Sequence, residues 1–490
     1  MNSIHRYTKH SRTVVFIMLA AATLLAAIAI PAQAQTYTPL FAYDTSQQWF
    51  ASPLGQLALG RDGNFYGMTF TGDILYSVTP LGDPTVLWIA QDQFTWGVQC
   101  NFGLTLGPDG LLYGPCMDIN QDWSNGSGAI FRYDPTKIPT QDGFTVLYEF
   151  PSLGCSVQPN ALTLNTDGNF YGTTQGSNCG TAGLGTFFKI TPSGSLTTLH
   201  TFTGDPTDPA YPSAVTLGTD GNFYGTSTAG GAYNGGTLFK ITSKGKVTLL
   251  YSFNGNTGPY EPAAAPIQGA DGKWYGTTWY GGTSNNGTIF QYAAAKINFL
   301  HNFNYSVDYA GYPAFPLTLG PDGNFYSPSP TINMGGYGPE SLFEITTAKT
   351  SVYSDRFNWL LPGQNCNDLL ANGCIPTSPL AAHPNGMFYG TTGQGGSADS
   401  GIFYSFSMSF KPYIILQFPR GKIGTSIGIF GTGLTGTTAV SFNGVAATSF
   451  TVDSDTYMTA LIPTGATRGY VTVTTPGGSL KSAIKLTVVK

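Results

Sequence analysis

Few side chains in this sequence have the types and spacing that catalysis requires. After the first 34 residues the histidines are His200, His301 and His383, and no Ser, His and Asp share a recognisable spacing for nucleophilic catalysis. The motifs G-x-S-x-G, H-E-x-x-H and the phosphate loop are absent from the sequence. We therefore expect no catalytic residue, no metal site and no cofactor. His200 and His301 are predicted to be structural, and His383 to be a loop residue.

Acidic residues offer an alternative to this interpretation. Glycosidases use a pair of carboxylates, and an Asp recurs in most repeats of this chain. Each repeated Asp precedes a Gly, however, where its side chain stabilises a turn, so a structural role is favoured. Loop acids such as Asp205 with Asp208 could still hold a cation. An exported carbohydrate-active hydrolase or lyase that uses loop carboxylates therefore stays open.

Aromatic residues in the variable loops are the main candidates for binding. Exposed rings among Asn, Gly, Ser and Thr can stack on the faces of sugars, while the polar neighbours bond the hydroxyl groups. Alternatively, such rings pack against their own loops. The predicted ligand-binding residues are Trp123, Tyr233, Tyr260, Trp279, Tyr280, Tyr337 and Trp359.

These loops connect the strands of a repeated unit. The segment Asp-Gly-Asn-Phe-Tyr-Gly at 220–225 has related copies that begin at Asp62, Asp109, Asp167, Asp271, Asp322 and Asn385. Asp-Gly favours a hairpin turn because Gly accepts positive φ and Asp bonds its local backbone, and the aromatic pair suits a strand. The intervals of 47, 58, 53, 51, 51 and 63 residues indicate a tandem array.

One full repeat, 211–253, contains four short strand patterns joined by turns. Four antiparallel strands with a period near 50 residues are typical of a β-propeller blade. The seventh repeat lacks a fourth strand, whereas the segment 37–43 is a strand without a partner. We therefore predict an all-β fold in which 35–410 form a seven-bladed β-propeller and the N-terminal strand completes the last blade. An open seven-unit solenoid is the alternative.

Both the N-terminus and the cysteines indicate export. Residues 1–34 combine a basic start, an uncharged run at 14–30 and Ala-Gln-Ala at 32–34, which is typical of a signal peptide. An uncleaved anchor is the alternative, but the run is shorter than the roughly 20 residues that a membrane span prefers. We expect a periplasmic, cell-surface or secreted protein with no stable membrane span after cleavage. Six cysteines suit an oxidising compartment, and the predicted disulfides are Cys100–Cys116, Cys155–Cys179 and Cys366–Cys374.

Charge and patterning change near residue 411. The whole chain has a net charge of −5 and only 10% charged residues, which argues against a nucleic-acid partner. The segment 411–490, by contrast, carries seven Lys and Arg against Asp453 and Asp455. Alternating strands with Gly turns over these residues predict a small immunoglobulin-like β-sandwich, weakly attracted to the acidic first domain.

Two resemblances accompany these patterns. The repeat, with Asp-Gly-Asn-Phe-Tyr-Gly followed by Gly-Thr-Leu-Phe-Lys-Ile-Thr at 236–242, resembles the GloVer tandem repeat of exported bacterial proteins over about 50–405. The segment 411–490 resembles the IPT/TIG domain, and this resemblance implies a spacing or presenting module without catalytic residues. We expect a secreted or cell-surface binding or adhesion protein whose ligand is a glycan or a surface protein. The enzyme is the first alternative to this function, and an envelope scaffold protein is the second.

Overall fold

The computed structural model describes residues 35–44, 53–69, 74–89, 103–116, 128–137, 143–151, 156–177, 183–262, 264–308, 310–329, 340–347, 353–360 and 373–489. Over these residues the chain is nearly all-β, with 39 strands and one short helix, α1 (Tyr305–Asp308). No helix in this part of the chain has the length and apolar character needed to cross a bilayer. The strands form nine sheets, of which seven follow the repeats.

The repeats fold into sheets of four or five strands, and every pairing within them is antiparallel. We number these sheets 1 to 7 along the chain. Sheets 1 to 3 contain β2 (Pro53–Leu59), β3 (Phe65–Thr69), β4 (Ile74–Val78) and β5 (Pro84–Ile89); then β6 (Thr105–Leu106), β7 (Leu112–Cys116), β8 (Ala129–Tyr133) and β9 (Phe144–Glu149); then β10 (Ser156–Pro159), β11 (Thr163–Leu164), β12 (Phe170–Ser177), β13 (Thr186–Ile190) and β14 (Leu196–Thr201).

The remaining four sheets of the repeats follow the same order. They contain β15 (Pro209–Leu217), β16 (Phe223–Gly230), β17 (Thr237–Ile241) and β18 (Val247–Ser252); then β19 (Ile267–Gln268), β20 (Trp274–Thr278), β21 (Thr288–Ala293) and β22 (Lys296–Asn302); then β23 (Thr318–Leu319), β24 (Phe325–Ser329), β25 (Glu340–Ile345) and β26 (Tyr353–Leu360); and finally β27 (Cys374–Pro376), β28 (Ala381–Ala382), β29 (Met387–Gln394) and β30 (Ile402–Ser407) with the N-terminal strand β1 (Thr36–Ala42).

The repeated Asp holds the turn between the first two main strands of sheets 1 to 6. In sheet 4, Asp220 Oδ1 accepts a hydrogen bond from the Asn222 amide at 3.1 Å, and its Oδ2 accepts one from the Tyr224 hydroxyl at 2.9 Å. Gly221, between them, has a φ of +83°, which Gly adopts at little cost. The same pair of bonds forms at Asp62, Asp109, Asp167, Asp271 and Asp322. These contacts confirm the structural interpretation of the repeated acids.

Sheet 7 combines the N-terminal strand β1 with four strands from the C-terminal end of the repeat region. Strand β1 pairs antiparallel with β30, with Tyr37 opposite Phe406, and forms the outer edge of that sheet. Tyr43, directly after β1, is only 1% exposed, and its hydroxyl bonds that of Tyr76 in sheet 1 at 3.1 Å. The N-terminal segment therefore connects the last sheet with the first.

Hydrogen bonds also join each sheet to the next one. They reach the first strand of the next sheet or the residues near that strand. Between sheets 1 and 2, the Leu104 amide donates to the Gln56 carbonyl at 3.3 Å, and between sheets 7 and 1 the Gly55 amide donates to the Thr377 carbonyl at 3.3 Å. Threonine hydroxyls make the other five links, which are Thr105 to Leu162, Thr163 to Val215, Thr226 to Ala264, Thr277 to Pro313 and Thr318 to Leu380. The links run from each sheet to its successor and from the last sheet to the first.

Residues 411–489 form two further sheets around a separate core. Sheet 8 contains β31 (Ile415–Leu416), β33 (Ser426–Phe430), β37 (Tyr457–Leu461) and β36 (Phe450–Val452); sheet 9 contains β32 (Arg420–Lys422), β39 (Gly478–Val489), β38 (Gly469–Thr475), β34 (Ala439–Phe442) and β35 (Val445–Ala446). Their facing side chains, such as Ile429 and Val473, are fully buried in one cluster. We call 411–489 the C-terminal domain.

The C-terminal domain lies against the side of the repeats that carries the Asp-Gly turns. Phe418 packs against the cores around sheets 2 to 4, and the Tyr413 amide donates to the Pro384 carbonyl at 2.9 Å. On sheet 1, the Arg61 carbonyl accepts a hydrogen bond from the Thr456 hydroxyl at 2.6 Å, while the Arg61 guanidinium lies 4.7 Å from the centre of the Tyr457 ring. Apolar packing and hydrogen bonds therefore join the two parts, in addition to the predicted charge attraction.

Only part of the predicted disulfide set falls in the described residues. Cys116 at the end of β7 and Cys374 at the start of β27 are buried and disulfide-bonded. Cys100, Cys155, Cys179 and Cys366 lie outside the described residues. The three pairings therefore stay predictions.

Candidate functional site

The predicted binding residues have different fates in the structure. Trp123 and Tyr337 lie outside the described residues. Tyr233 lies in the loop between β16 and β17 and is 58% exposed. It is near Tyr251 of β18 and apart from the other predicted rings. Tyr260, Trp279 and Tyr280 are half-buried and meet one another.

The prediction that Trp359 is a ligand-binding loop residue is wrong. It lies in β26 and is only 1% exposed. Its ring packs edge-on against Phe357 at 5.3 Å and against Tyr404 at 5.5 Å, between sheets 6 and 7. The misprediction arose because β26 has eight residues, whereas the equivalent strands β14 and β18 have six, so the strand continues where a loop was expected.

Four aromatic rings form a continuous surface around the start of sheet 5. Tyr260 stacks on Tyr280 with ring centres 5.2 Å apart, and Trp279 stacks on the same Tyr280 at 5.9 Å. Tyr312, in the loop that enters sheet 6, meets Tyr280 edge-on at 5.8 Å. We call Tyr260, Glu261, Trp279, Tyr280 and Tyr312 the aromatic patch.

Backbone hydrogen bonds hold the patch in place. Tyr260 and Tyr280 exchange two bonds between their amides and carbonyls, at 3.2 and 3.3 Å, as an isolated antiparallel bridge. The Trp279 amide donates to the Glu261 carbonyl at 2.9 Å, and the Glu261 amide donates to the Gly235 carbonyl at 2.9 Å. The loop before sheet 5 is thus tied to β20 and to the preceding sheet, so the rings are held before a ligand arrives.

Glu261 and Tyr312 have an unusual backbone conformation for their residue types. Each precedes a proline and has a φ of +53°, in the left-handed region. A residue before proline normally adopts an extended conformation, and positive φ is uncommon outside Gly, Asn and Asp. Tyr211 and Ile375 adopt the same conformation at equivalent positions of sheets 4 and 7. The feature belongs to the repeat, while the side chain varies from one sheet to the next.

Glu261 supplies the patch with a carboxylate in a partly dry environment. Burial raises the pKa of this carboxyl above its usual range. The pKa of Tyr280 is also raised, first by burial and then by the nearby Glu261 charge. On the far side, Asn286 Nδ2 donates to the Tyr312 hydroxyl at 3.0 Å. Rings, a carboxylate and hydroxyls in one surface can stack on a ligand and accept its hydrogen bonds.

Two acids outside the patch, Asp208 and Asp308, pair with histidines. His200 Nε2 lies 3.1 Å from Asp208 Oδ1, and His301 Nε2 lies 2.9 Å from Asp308 Oδ2, which places both histidines in equivalent contacts. Burial acts to raise the pKa of Asp208, but the hydrogen bonds from His200 and the Thr203 amide outweigh it and lower that pKa. The described residues contain no group of three or more His, Cys, Asp or Glu that could hold a metal ion.

Sequence reasoning missed Glu261 and left Tyr312 out of the binding set. Glu261 gives no sequence signal of its own, since its position depends on the left-handed backbone before Pro262. Tyr312 precedes Pro313, as Tyr211 precedes Pro212 in the equivalent loop of sheet 4. This repeated Tyr-Pro pair could have indicated Tyr312 from the sequence.

The repeat identifies the family of the chain. The model of the Gloeobacter/Verrucomicrobia repeat matches residues 28–214 and 99–338, which together cover more than half of the chain. The chain belongs to the Gloeobacter/Verrucomicrobia repeat family. This result confirms the GloVer resemblance of the repeats, and the match contains the patch residues of sheet 5. No curated protein sequence matches the chain.

Similar solved structures are distant. Virginiamycin B lyase from Staphylococcus aureus has 15% identity and a TM-score of 0.47, covering 76% of this chain and 99% of its own. Regucalcin from Agrobacterium tumefaciens has 16% identity and a TM-score of 0.38, covering 57% and 86%. The PQQ-bound aldose sugar dehydrogenase from Streptomyces coelicolor has 14% identity and a TM-score of 0.39, covering 77% and 99%. Similarity at this level carries no activity over to the present chain.

Proposed function

We propose that this family member is an exported, non-catalytic binding protein that holds a glycan on the aromatic patch. The observation that carries the proposal is the fixed stacking of Tyr260, Trp279 and Tyr280 around one half-buried surface beside Glu261. Aromatic faces stack on the apolar faces of sugar rings, and a carboxylate accepts hydrogen bonds from sugar hydroxyls. A surface protein is the alternative ligand.

The finer architecture is part of the same proposal. Residues 35–410 are a seven-bladed β-propeller, which the succession of links from each sheet to the next and from sheet 7 to sheet 1 supports. Residues 411–490 are an IPT/TIG-like sandwich, which the shared core of sheets 8 and 9 supports. Residues 1–34 are an export signal, so the mature protein works in the periplasm, at the cell surface or outside the cell.

A hydrolase or lyase is the second candidate function. Retaining glycosidases hold two carboxyl groups about 5 Å apart and inverting enzymes hold them roughly 6.5–9.5 Å apart. The patch has one carboxylate, that of Glu261. The carboxylates of Asp208 and Asp308 pair with His200 and His301. An envelope scaffold without a small ligand is a third candidate. Binding is favoured over both because the patch presents rings and one acid.

A glycan array probed with the mature protein tests the proposal. We expect binding to a restricted set of glycans, and the Trp279→Ala variant should lose at least about tenfold in affinity, because burial of a large apolar side chain contributes roughly 1.5–3 kcal/mol. Tyr233→Ala is the matched control, since it removes an exposed ring outside the patch. Thermal unfolding midpoints must agree among the three proteins.

Two results would separate the candidates. Glycan binding that Trp279→Ala leaves intact would remove the patch as the site. Release of reducing sugars from a bound glycan, abolished by Glu261→Gln, would establish the enzyme instead. Absence of any glycan binding would favour the scaffold or a protein ligand.

A further inference from the structure

A cavity that is separate from the aromatic patch runs through the centre of the repeats. It has a volume of about 990 Å³ and is lined by residues in or beside the first strand of each of the seven sheets. Small side chains such as Ala161, Ala214 and Ala265 leave it open, and the Tyr413–Pro419 segment of the C-terminal domain closes one end with Leu416 and Phe418. Its volume lies at the upper end of the roughly 300–1,000 Å³ of small-molecule pockets.

The wall of this cavity is largely apolar. Leucine, isoleucine, proline and alanine side chains predominate, and the polar groups are mainly amides and hydroxyls. Several of these polar groups bond the protein itself, as when Asn160 Nδ2 and Gln175 Nε2 both donate to the Pro212 carbonyl, at 3.0 and 2.8 Å. An apolar cavity of this size favours a ligand that brings apolar surface out of water.

The charges around the cavity have one sign. Arg468 and Lys485 of the C-terminal domain belong to its lining, whereas no Asp or Glu does so among the described residues. The described lining thus has basic but no acidic residues, although the whole chain has 26 acidic and only 21 basic residues. Lys485 is half-buried and Arg468 is exposed, so the cations stand where the cavity meets solvent. Lys485 Nζ lies 5.4 Å from the centre of the Tyr470 ring.

We propose that this cavity binds one single-chain amphiphile with an anionic head, such as a fatty carboxylate. The hydrocarbon chain occupies the apolar ring of first strands, and the carboxylate lies at Arg468 and Lys485. Burial of the methylenes of the chain drives binding, while the partly exposed ion pairs select the head group. The site needs both domains, because the cations and the floor come from the C-terminal domain and the wall comes from the repeats.

Displacement of N-phenyl-1-naphthylamine fluorescence from the mature full-length protein tests this site with two ligands of equal chain length. We expect dodecanoate to bind more tightly than dodecan-1-ol by roughly two- to thirtyfold, because two partly exposed ion pairs each make a small favourable contribution. The Arg468→Gln/Lys485→Gln double variant should bind dodecanoate no better than dodecan-1-ol. Lys481→Gln is the matched control, because Lys481 lies over Tyr470 at 3.8 Å but not in the cavity lining.

A second set of variants tests the cavity itself. Ala265→Trp should weaken both ligands by at least about tenfold by filling the space, whereas Ala232→Trp, on an exposed loop, should leave both unchanged. If Ala265→Trp lowers the unfolding midpoint, the smaller Ala214→Leu change replaces it. Failure of both ligands to bind, equal affinity for acid and alcohol, or binding that survives the filling variants would overturn the proposal. Mass spectrometry of protein re-isolated from phosphatidylglycerol vesicles then shows whether a membrane lipid or a free fatty acid is the source, and either result supports the site.

Discussion

At the residue scale, His383 connects the last sheet of the repeats to the first. Its ring is 3% exposed, Nε2 donates to the Gly63 carbonyl at 3.2 Å, and Nδ1 accepts a hydrogen bond from the Asn385 amide at 3.1 Å. His383 lies in the loop between β28 and β29, in agreement with the predicted position, and its ring packs against Phe65 and Tyr389. Burial lowers the pKa of His383. Protonation of Nδ1 would place a hydrogen against the N–H of Asn385.

This arrangement makes stability depend on pH. Because the folded-state pKa of His383 is depressed, its contribution is complete above the unfolded value of about 6.5 and is lost as the pH falls through the folded value. The melting temperature of the mature protein should therefore fall between pH 7.5 and 5, and the His383→Gln variant should show a smaller fall. Parallel pH curves for the wild type and His383→Gln would contradict this role.

The repeated Asp can be tested at the turn of sheet 3. Asp167 accepts hydrogen bonds from the Asn169 amide at 3.0 Å and from the Tyr171 hydroxyl at 2.9 Å. Asp167→Ala should lower the free energy of unfolding by about 1–2 kcal/mol, because two hydrogen bonds are lost, of which the one from Tyr171 is partly buried. Asp167→Asn should cost less, since one acceptor oxygen remains. Urea titration checks both, and a change under about 0.5 kcal/mol for Asp167→Ala would count against the turn role.

At the element scale, the sequence was informative where local chemistry decides the structure. Asp-Gly turns and aromatic strand pairs predicted four-stranded units, because both signals act within a few residues of the chain. The length of β26 was not predictable, since burial of Trp359 between two sheets sets it. Tyr260, Trp279 and Tyr280 were predicted as binding residues and lie together, but Glu261 depends on a backbone conformation that residue type disfavours.

Strand β1 offers a test of how firmly the N-terminal segment is held. Tyr43 packs against Phe41 at 5.1 Å and against Tyr76 at 5.8 Å, and its amide donates to the Gly401 carbonyl at 2.9 Å. Tyr43→Ala should lower the free energy of unfolding by about 3–5 kcal/mol, as other large-to-small core changes do. Tyr43→Phe keeps the ring and should cost only about 0.5–1.5 kcal/mol for the lost hydroxyl bond. Similar values for the two variants in chemical unfolding would show that the ring is not anchored.

At the scale of the whole molecule, the C-terminal domain is joined to the repeats by direct contacts. Arg61 shows the extent of the contact, because its guanidinium donates to the Pro108 carbonyl of sheet 2 at 2.6 Å and also covers Tyr457. Its carbonyl accepts hydrogen bonds from the Ser454 and Thr456 hydroxyls at 3.1 and 2.6 Å. One residue of sheet 1 therefore contacts a neighbouring sheet and the C-terminal domain at the same time.

These contacts predict that the domains unfold together and that salt does not separate them. Phe418 is the main apolar link, since its side chain packs against cores that belong to several sheets. Scanning calorimetry of the mature protein should show one transition at low salt and at 0.5 M NaCl (about a 4–5 Å screening length), because burial of an aromatic ring is not screened. Phe418→Asp should divide it into two transitions, while Leu81→Asp, at an 82% exposed position, should not. Two transitions in the wild type at high salt alone would show instead that charge attraction between the acidic repeats and the basic C-terminal domain holds the molecule together.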